Sequence, residues 1–162
     1  MVTIGIIGAG RIGKVHAESI SNYVRNARIK TVADPFMNDS TAQWLEGLGV
    51  QNTTKDYKEI LNDPEIEAVL ICSSTDTHSP ISLEAIAAGK HVFCEKPIDH
   101  DLSKIKQVVD ALKGTNLKHQ AGFNRRHDHN FAAVKQAILD GKVGDVHIIK
   151  ITSRDPAPPS PA

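Results

Sequence analysis

Short apolar runs alternate with stretches of helical period from the second residue of the chain onward. Val2-Thr3-Ile4-Gly5-Ile6-Ile7, Ile29-Lys30-Thr31-Val32-Ala33, Ala68-Val69-Leu70-Ile71-Cys72 and His91-Val92-Phe93-Cys94 are too short for helices. They are also rich in the side chains that suit a pleated sheet. Between them, apolar residues recur every three or four positions. Ile12, Val15, His16 and Ile20 follow Arg11; Ala42, Trp44, Leu45 and Leu48 follow the cap-type residues Asn38-Asp39-Ser40 and precede Gly49. A further helix is predicted over 102–112, closed by Gly114. A short strand around Val50-Gln51-Asn52 and a short helix over 57–61 fill the next interval. Ser79 and Pro80 read as the cap and first turn of a helix that Gly89 ends. A sixth strand is expected over 119–123. Such alternation predicts an α/β fold, a parallel sheet with helices on both faces. The wholly apolar run at 68–72 suits a central strand buried on both sides.

After Phe123 the character changes. Arg125-Arg126-His127-Asp128-His129 reads as a polar linker, followed by a helix over 131–139 and a strand, Val146-His147-Ile148-Ile149-Lys150-Ile151. The last eight residues, Asp155-Pro156-Ala157-Pro158-Pro159-Ser160-Pro161-Ala162, cannot form regular structure. One helix and one strand do not make a core. The expected organisation is one α/β domain over 1–123, then the linker, helix and first strand of a truncated α+β second domain over 124–162. An apolar strand left alone at 146–151 is expected to pair with a neighbouring chain or stay disordered.

The chemistry is concentrated where the first strand ends. Gly8-Ala9-Gly10-Arg11-Ile12-Gly13 sets a G-x-G-x-x-G turn between a β-branched strand and an amphipathic helix. Gly8 permits the turn, Gly10 lets a pyrophosphate approach the backbone, and Gly13 lets helix and strand pack closely. The pattern is that of the doubly wound Rossmann fold. Asp34, about twenty residues further on at the tip of the second strand, can accept hydrogen bonds from a ribose diol and would repel a 2′-phosphate. Pro35-Phe36-Met37-Asn38 offers no cation to rescue such a phosphate, so NAD is favoured over NADP. The plainer alternative is that Asp34 starts a turn with Pro35.

Composition removes other classes of function. The 162 residues carry 19 basic and 19 acidic side chains, and only 4% are aromatic, so neither the charge nor the stacking surface of a nucleic-acid binder is present. No apolar run reaches membrane length and Met1-Val2-Thr3 enters a strand at once, which predicts no membrane partner, no signal peptide and a cytoplasmic setting. Cys72 and Cys94 end apolar runs and read as buried thiols. His127 and His129 lack a third ligand, so no metal is expected. His16, His91 and His119 read as structural histidines, and Trp44 as a packing residue.

The fifth strand delivers Glu95-Lys96-Pro97 at its carboxyl end, where open α/β sheets bind ligands. A partly buried lysine there could exchange a proton with a substrate hydroxyl. A surface ion pair between Glu95 and Lys96, of little energetic consequence, explains the spacing equally well. The glycine loop, Ser74-Thr75-Asp76-Thr77-His78 and Cys94-Glu95-Lys96-Pro97 together resemble the Gfo/Idh/MocA family of sugar and polyol dehydrogenases. Ala121-Gly122-Phe123-Asn124-Arg125-Arg126 and Thr152-Ser153-Arg154-Asp155-Pro156 resemble its inositol 2-dehydrogenase branch.

The resemblance covers the chain in order and implies NAD-dependent oxidation of a ring alcohol to a ketone, with hydride passing to the nicotinamide. It implies that Lys96 is catalytic and binds substrate. It assigns Gly8, Gly10, Arg11, Ile12, Gly13, Asp34, Ser73, Ser74, Thr75, His78, Glu95 and Lys96 to the cofactor. Arg125, Arg126 and, more weakly, Asp155 fall to the polyol. It further implies a homo-oligomer at full length, and an aspartate–histidine acid/base pair that this sequence does not match. These 162 residues are therefore expected to bind NAD weakly and not to turn over. Competing readings are a non-catalytic NAD-binding module, a glucose-type dehydrogenase of the same family, and a methyltransferase using another adenosyl cofactor.

Overall fold

The computed structural model describes residues 1–154. The chain divides into two compact units, Met1–Phe123 and Asn124–Ala162. In the first, strands β1 (Val2–Ile7), β2 (Ala27–Ala33), β3 (Asn52–Thr54), β4 (Ala68–Ile71), β5 (His91–Cys94) and β6 (His119–Ala121) alternate with helices α1 (Arg11–Tyr23), α2 (Asp39–Gly47), α3 (Lys58–Asn62), α4 (Thr75–Ala87) and α5 (Leu102–Leu112). The strands form one sheet in the order β3-β2-β1-β4-β5-β6, and every neighbouring pair is parallel. This is the doubly wound order with its switch point between β1 and β4.

Both faces of the sheet are covered, and side-chain alternation decides which residue goes where. Ile6, Val32 and Leu70 face one way, into a core shared with Ala17, Ile20 and Leu45 of α1 and α2. Their sequence neighbours Ile7, Ala33 and Ile71 face the other way, against Ile60, Ile81, Ala85 and Val108 of α3, α4 and α5. Ile6 and Ile71 are fully out of solvent, and each such side chain contributes about 1.5–3 kcal/mol of burial free energy.

Four expectations are corrected. The third strand is Asn52–Thr54, not 50–52, because Val50 still belongs to the exit of α2: its N–H bonds the Leu45 carbonyl at 3.1 Å and its side chain is buried. Helix α4 begins at Thr75, with Pro80 inside it. Ser79 is buried and its hydroxyl donates to Asp99, so it is not available as a cap. Trp44 is not a packing residue: it is 37% exposed and takes the Lys14 ammonium over its ring at 5.8 Å. The fourth correction is residues 146–151, which form no strand. No partner strand exists among the described residues of the second unit, and Ile148, Ile149 and Ile151 lie exposed. A strand without a ladder leaves its backbone groups to water.

The second unit's described residues hold a short 3-10 helix, Asn124–His127, where a linker is expected, and helix α6 (His129–Leu139). The Asp128 carboxylate accepts from the N–H groups of Asn130 and Phe131 and so caps α6. The expected Asp155 contribution and the proline-rich end lie outside the described residues. Among the described residues no helix is long and apolar enough to cross a membrane.

Candidate functional site

At the switch point the chain leaves β1 and β2 toward the helices of one face and β4 toward those of the other. A cleft of about 600 Å³ opens there, lined by Ile7, Gly8, Gly10, Ala33, Asp34, Lys55, Cys72, Ser73, Ser74 and Thr77 among others. The three loop glycines meet three different constraints. Gly8 has φ of +101°, a conformation that side chains rarely adopt. A Cβ on Gly13 would stand 1.9 Å from the Gly8 carbonyl oxygen, so this glycine is what lets α1 close on β1. A Cβ on Gly10 would meet nothing within 4 Å. Space is thus left above Gly10, where no packing demand explains the missing side chain.

Gly10 also starts α1, which has no side-chain cap and no acidic residue in its first turn. The open N–H groups and the helix dipole suit a dianionic pyrophosphate. Asp34 closes the loop from the neighbouring strand. Its Oδ2 accepts from the Ala9 N–H at 2.7 Å, and its Oδ1 accepts from the Phe36 N–H at 2.8 Å. The turn at Pro35 and the grip on the glycine loop are therefore made by the same carboxylate. Each oxygen keeps a lone pair for a ribose hydroxyl.

The loop after β4 is tied to itself and to the loop after β5. Thr77 Oγ1 donates to the Ser74 carbonyl at 2.7 Å, so its 2.6 Å contact with Ser73 is donated by the serine hydroxyl. Ser73 then faces the cleft as an acceptor. His78 is 2% exposed, with Nδ1 2.8 Å from the Pro97 carbonyl oxygen and Nε2 3.0 Å from that of Ser73. Both partners are acceptors, so one ring N–H serves one of them at a time, with the ring packed between the two loops. Any influence on a ligand passes through those loops.

Beside it, Glu95 leaves β5 and accepts from His16 Nε2 of α1 at 2.8 Å. The His16 ring stands edge-on to Phe93 at 5.2 Å. Gly122 makes room, since a Cβ there would come within 3.0 Å of the Glu95 carboxyl. Glu95 thus pairs with His16 and not with the Lys96 ammonium. The Lys96 side chain is exposed, so this unit does not supply the partial burial that would make it a base. Its ammonium forms no hydrogen bond or ion pair among the described residues.

Of the residues assigned to the cofactor, Gly8, Gly10, Asp34, Ser73 and Ser74 line the cleft and Arg11, Ile12, Gly13, Thr75, His78, Glu95 and Lys96 do not, whereas Thr77 and Lys55 do. Thr77 stands inside a motif that reads as functional from its residues. Lys55 escapes sequence reasoning because β3 is expected two residues early; ligands gather at carboxyl ends of strands, and that end is Thr54-Lys55. Arg125 lies in the second unit, where it donates to Ser153 Oγ at 2.9 Å and stacks on Phe131 at 5.6 Å. Arg126 follows it in the same short helix. The thiols are buried: burial, reinforced by Glu95, pushes Cys72 up to about 12, and burial pushes Cys94 up to about 11. Burial likewise holds the His119 imidazole below its ordinary 6.5. Among the described residues no group of three ligating side chains could hold a metal.

An open glycine cradle, an uncapped helix start and a fixed carboxylate at the switch point define a dinucleotide-binding domain of the doubly wound class. The chain belongs to the Gfo/Idh/MocA oxidoreductase family, described as an oxidoreductase family with an NAD-binding Rossmann fold, which matches residues 2–123. Its relatives include the myo-inositol 2-dehydrogenase of Thermotoga maritima, 42% identical over 156 residues that make up 96% of this chain and 46% of that protein. The inositol 2-dehydrogenase of Rhizobium meliloti is 44% identical over 98% of this chain and 47% of its own length. Among solved structures, the scyllo-inositol dehydrogenase of Lactobacillus casei with bound NAD(H) and scyllo-inositol superposes with a TM-score of 0.83 at 35% identity, covering 90% of this chain and 43% of that one. The chain thus spans about half the length of the relatives it matches.

Proposed function

We propose that this chain supplies the nucleotide-binding half of an NAD-dependent dehydrogenase that oxidises a ring secondary alcohol of a polyol, with myo-inositol the favoured substrate. The joint between Asp34 and the Ala9 N–H carries the reading. It fixes a ribose-binding carboxylate to the same loop that leaves Gly10 bare for a pyrophosphate. In this assignment Gly8, Gly10, Arg11, Ile12 and Gly13 hold the pyrophosphate, and Asp34 accepts from the ribose hydroxyls. Ser73 and Ser74 border the cofactor from the β4 loop, and Thr75, assigned with them by likeness to the family, follows at the start of α4, with His78 positioning that loop from behind. Glu95 stands toward the nicotinamide side, held by His16.

Bound NAD would supply the hydride acceptor. The alcohol must lose a proton from oxygen as the hydride leaves carbon. Lys96, with a free ammonium at the carboxyl end of β5, is the group of this chain assigned to hold that oxygen. Arg125, Arg126 and Asp155 are assigned to the polyol by likeness to the family. Myo-inositol is preferred because relatives 42% and 44% identical are named myo-inositol 2-dehydrogenase and inositol 2-dehydrogenase. A homo-oligomeric assembly and a reducing cytoplasm belong to the same proposal, the latter in keeping with two free, buried cysteines.

Calorimetric titration of the 162-residue polypeptide with NAD and with S-adenosylmethionine tests the reading. NAD is expected to bind, and Asp34→Ala to weaken it by about tenfold or more, the worth of a lost bond to a charged acceptor. Binding of S-adenosylmethionine in place of NAD would refute the proposal. The same polypeptide is expected to show no reduction of NAD by myo-inositol in a steady-state assay, because it matches no second acid/base pair for the proton.

A further inference from the structure

Asp34 is not the only charged group at the ribose end of the cleft. Lys55 follows β3, and the parallel register pairs Thr31 with Asn52, Val32 with Thr53 and Ala33 with Thr54. Carried one residue further, that register sets Lys55 beside Asp34, on chains about 4.8 Å apart. The Asp34 N–H donates to the Thr54 carbonyl at 3.0 Å, so the two strand ends stay paired up to this point. Both residues line the cleft. A second acid, Asp56, also lines the cleft, with its Oδ1 accepting from the Lys58 N–H at 2.9 Å. Lys55 itself is exposed, and its ammonium makes no hydrogen bond or ion pair among the described residues.

A carboxylate alone at a ribose diol rejects a 2′-phosphate by charge, and an adjacent cation offsets that rejection. We propose that Lys55 is a specificity-determining residue of the adenosine end, giving the site measurable affinity for 2′-phosphorylated adenosine nucleotides, NADP among them, beside NAD. The inference rests on the dinucleotide reading above. It qualifies the preference for NAD drawn from Pro35-Phe36-Met37-Asn38, since the missing cation is supplied from the next strand.

Adenosine 5′-monophosphate and adenosine 2′,5′-bisphosphate probe this end directly. Their affinities are measured by calorimetry on the unsubstituted chain and on Lys55→Ala and Lys55→Arg. Both nucleotides are expected to bind the unsubstituted chain. In Lys55→Ala the bisphosphate-to-monophosphate affinity ratio is expected to fall by about tenfold or more, as for loss of a charge-assisted bond. Lys55→Arg should restore it. A ratio that stays within about twofold in Lys55→Ala overturns the inference. So does a monophosphate that binds while the bisphosphate does not. Failure of both nucleotides to bind overturns the dinucleotide reading, and this inference with it.

Discussion

Helix starts beside the cleft differ from those elsewhere. Away from it, Asn38 caps α2 and Asp101 caps α5, each through a side-chain oxygen that accepts a backbone N–H. Beside it, α1 begins at Gly10 and α4 at Ser74, and neither is capped by a side chain. A cap is worth about 1 kcal/mol to a helix, so forgoing it at two long helices leaves N–H groups open to something other than the protein. The same division appears among the glycines. Gly8 and Gly13 are required by the fold, whereas no protein atom requires the glycine at Gly10.

Alanine at each of two glycines breaks this division most sharply. Gly13→Ala drives a Cβ into the Gly8 carbonyl oxygen. It should cost about 1–3 kcal/mol of stability in urea unfolding, the range for overpacking, and abolish NAD binding. Gly10→Ala meets no protein atom. Its unfolding midpoint should be unchanged or slightly raised, while NAD affinity falls by about tenfold or more as the methyl group enters the pyrophosphate's space. If Gly10→Ala bound NAD as well as the unsubstituted chain, the bare surface there would have no ligand to explain it.

Local pattern makes one part of this division legible in the sequence and hides the other. Strands β1, β4 and β5 and helix α5 stand out because their apolar runs are uninterrupted or strictly periodic, and Gly8, Gly13 and Asp34 because a turn of that kind leaves few alternatives. Hidden features depend on contacts far along the chain. Ser79 and Pro80 look like a helix start, yet Ser79 is claimed by Asp99 twenty residues away. His16 looks structural, and its partner Glu95 is 79 residues distant. Lys55 is displaced from view by Val50, whose β-branched side chain serves α2 and not a strand. No local pattern encodes such pairings.

A smaller effect sharpens the comparison from the capped side. Asn38 Oδ1 accepts from the Thr41 N–H at 3.0 Å, and neither residue lines the cleft. Asn38→Ala should lower stability by about 1 kcal/mol with NAD affinity unaltered. A matching loss of affinity would mean that α2, through the Pro35-Phe36 turn it follows, shapes the ribose site as much as α1 does.

The smallest expected effect concerns acid. Hydrogen bonds donated by Ser79 and by the Asp101 backbone hold the Asp99 carboxyl below its ordinary 3.8. Its proton is bound more weakly in the folded chain than in the unfolded one, so the ionised form favours folding. That contribution is complete above the ordinary carboxylate value and disappears as pH falls through the lowered one. Urea midpoints followed downward from pH 5 should therefore decline less steeply in Asp99→Asn, which keeps an acceptor for Ser79 and removes the titrating group. Superimposable acid limbs would shift the sensitivity to Asp63, which Lys30 lowers, or Asp101, which Ser103 lowers. Because Asp99 ties α4 to the segment after Pro97, and His78 ties the same two elements, a flatter limb would also identify the acid-labile joint as the one supporting the β4 and β5 loops around the cleft.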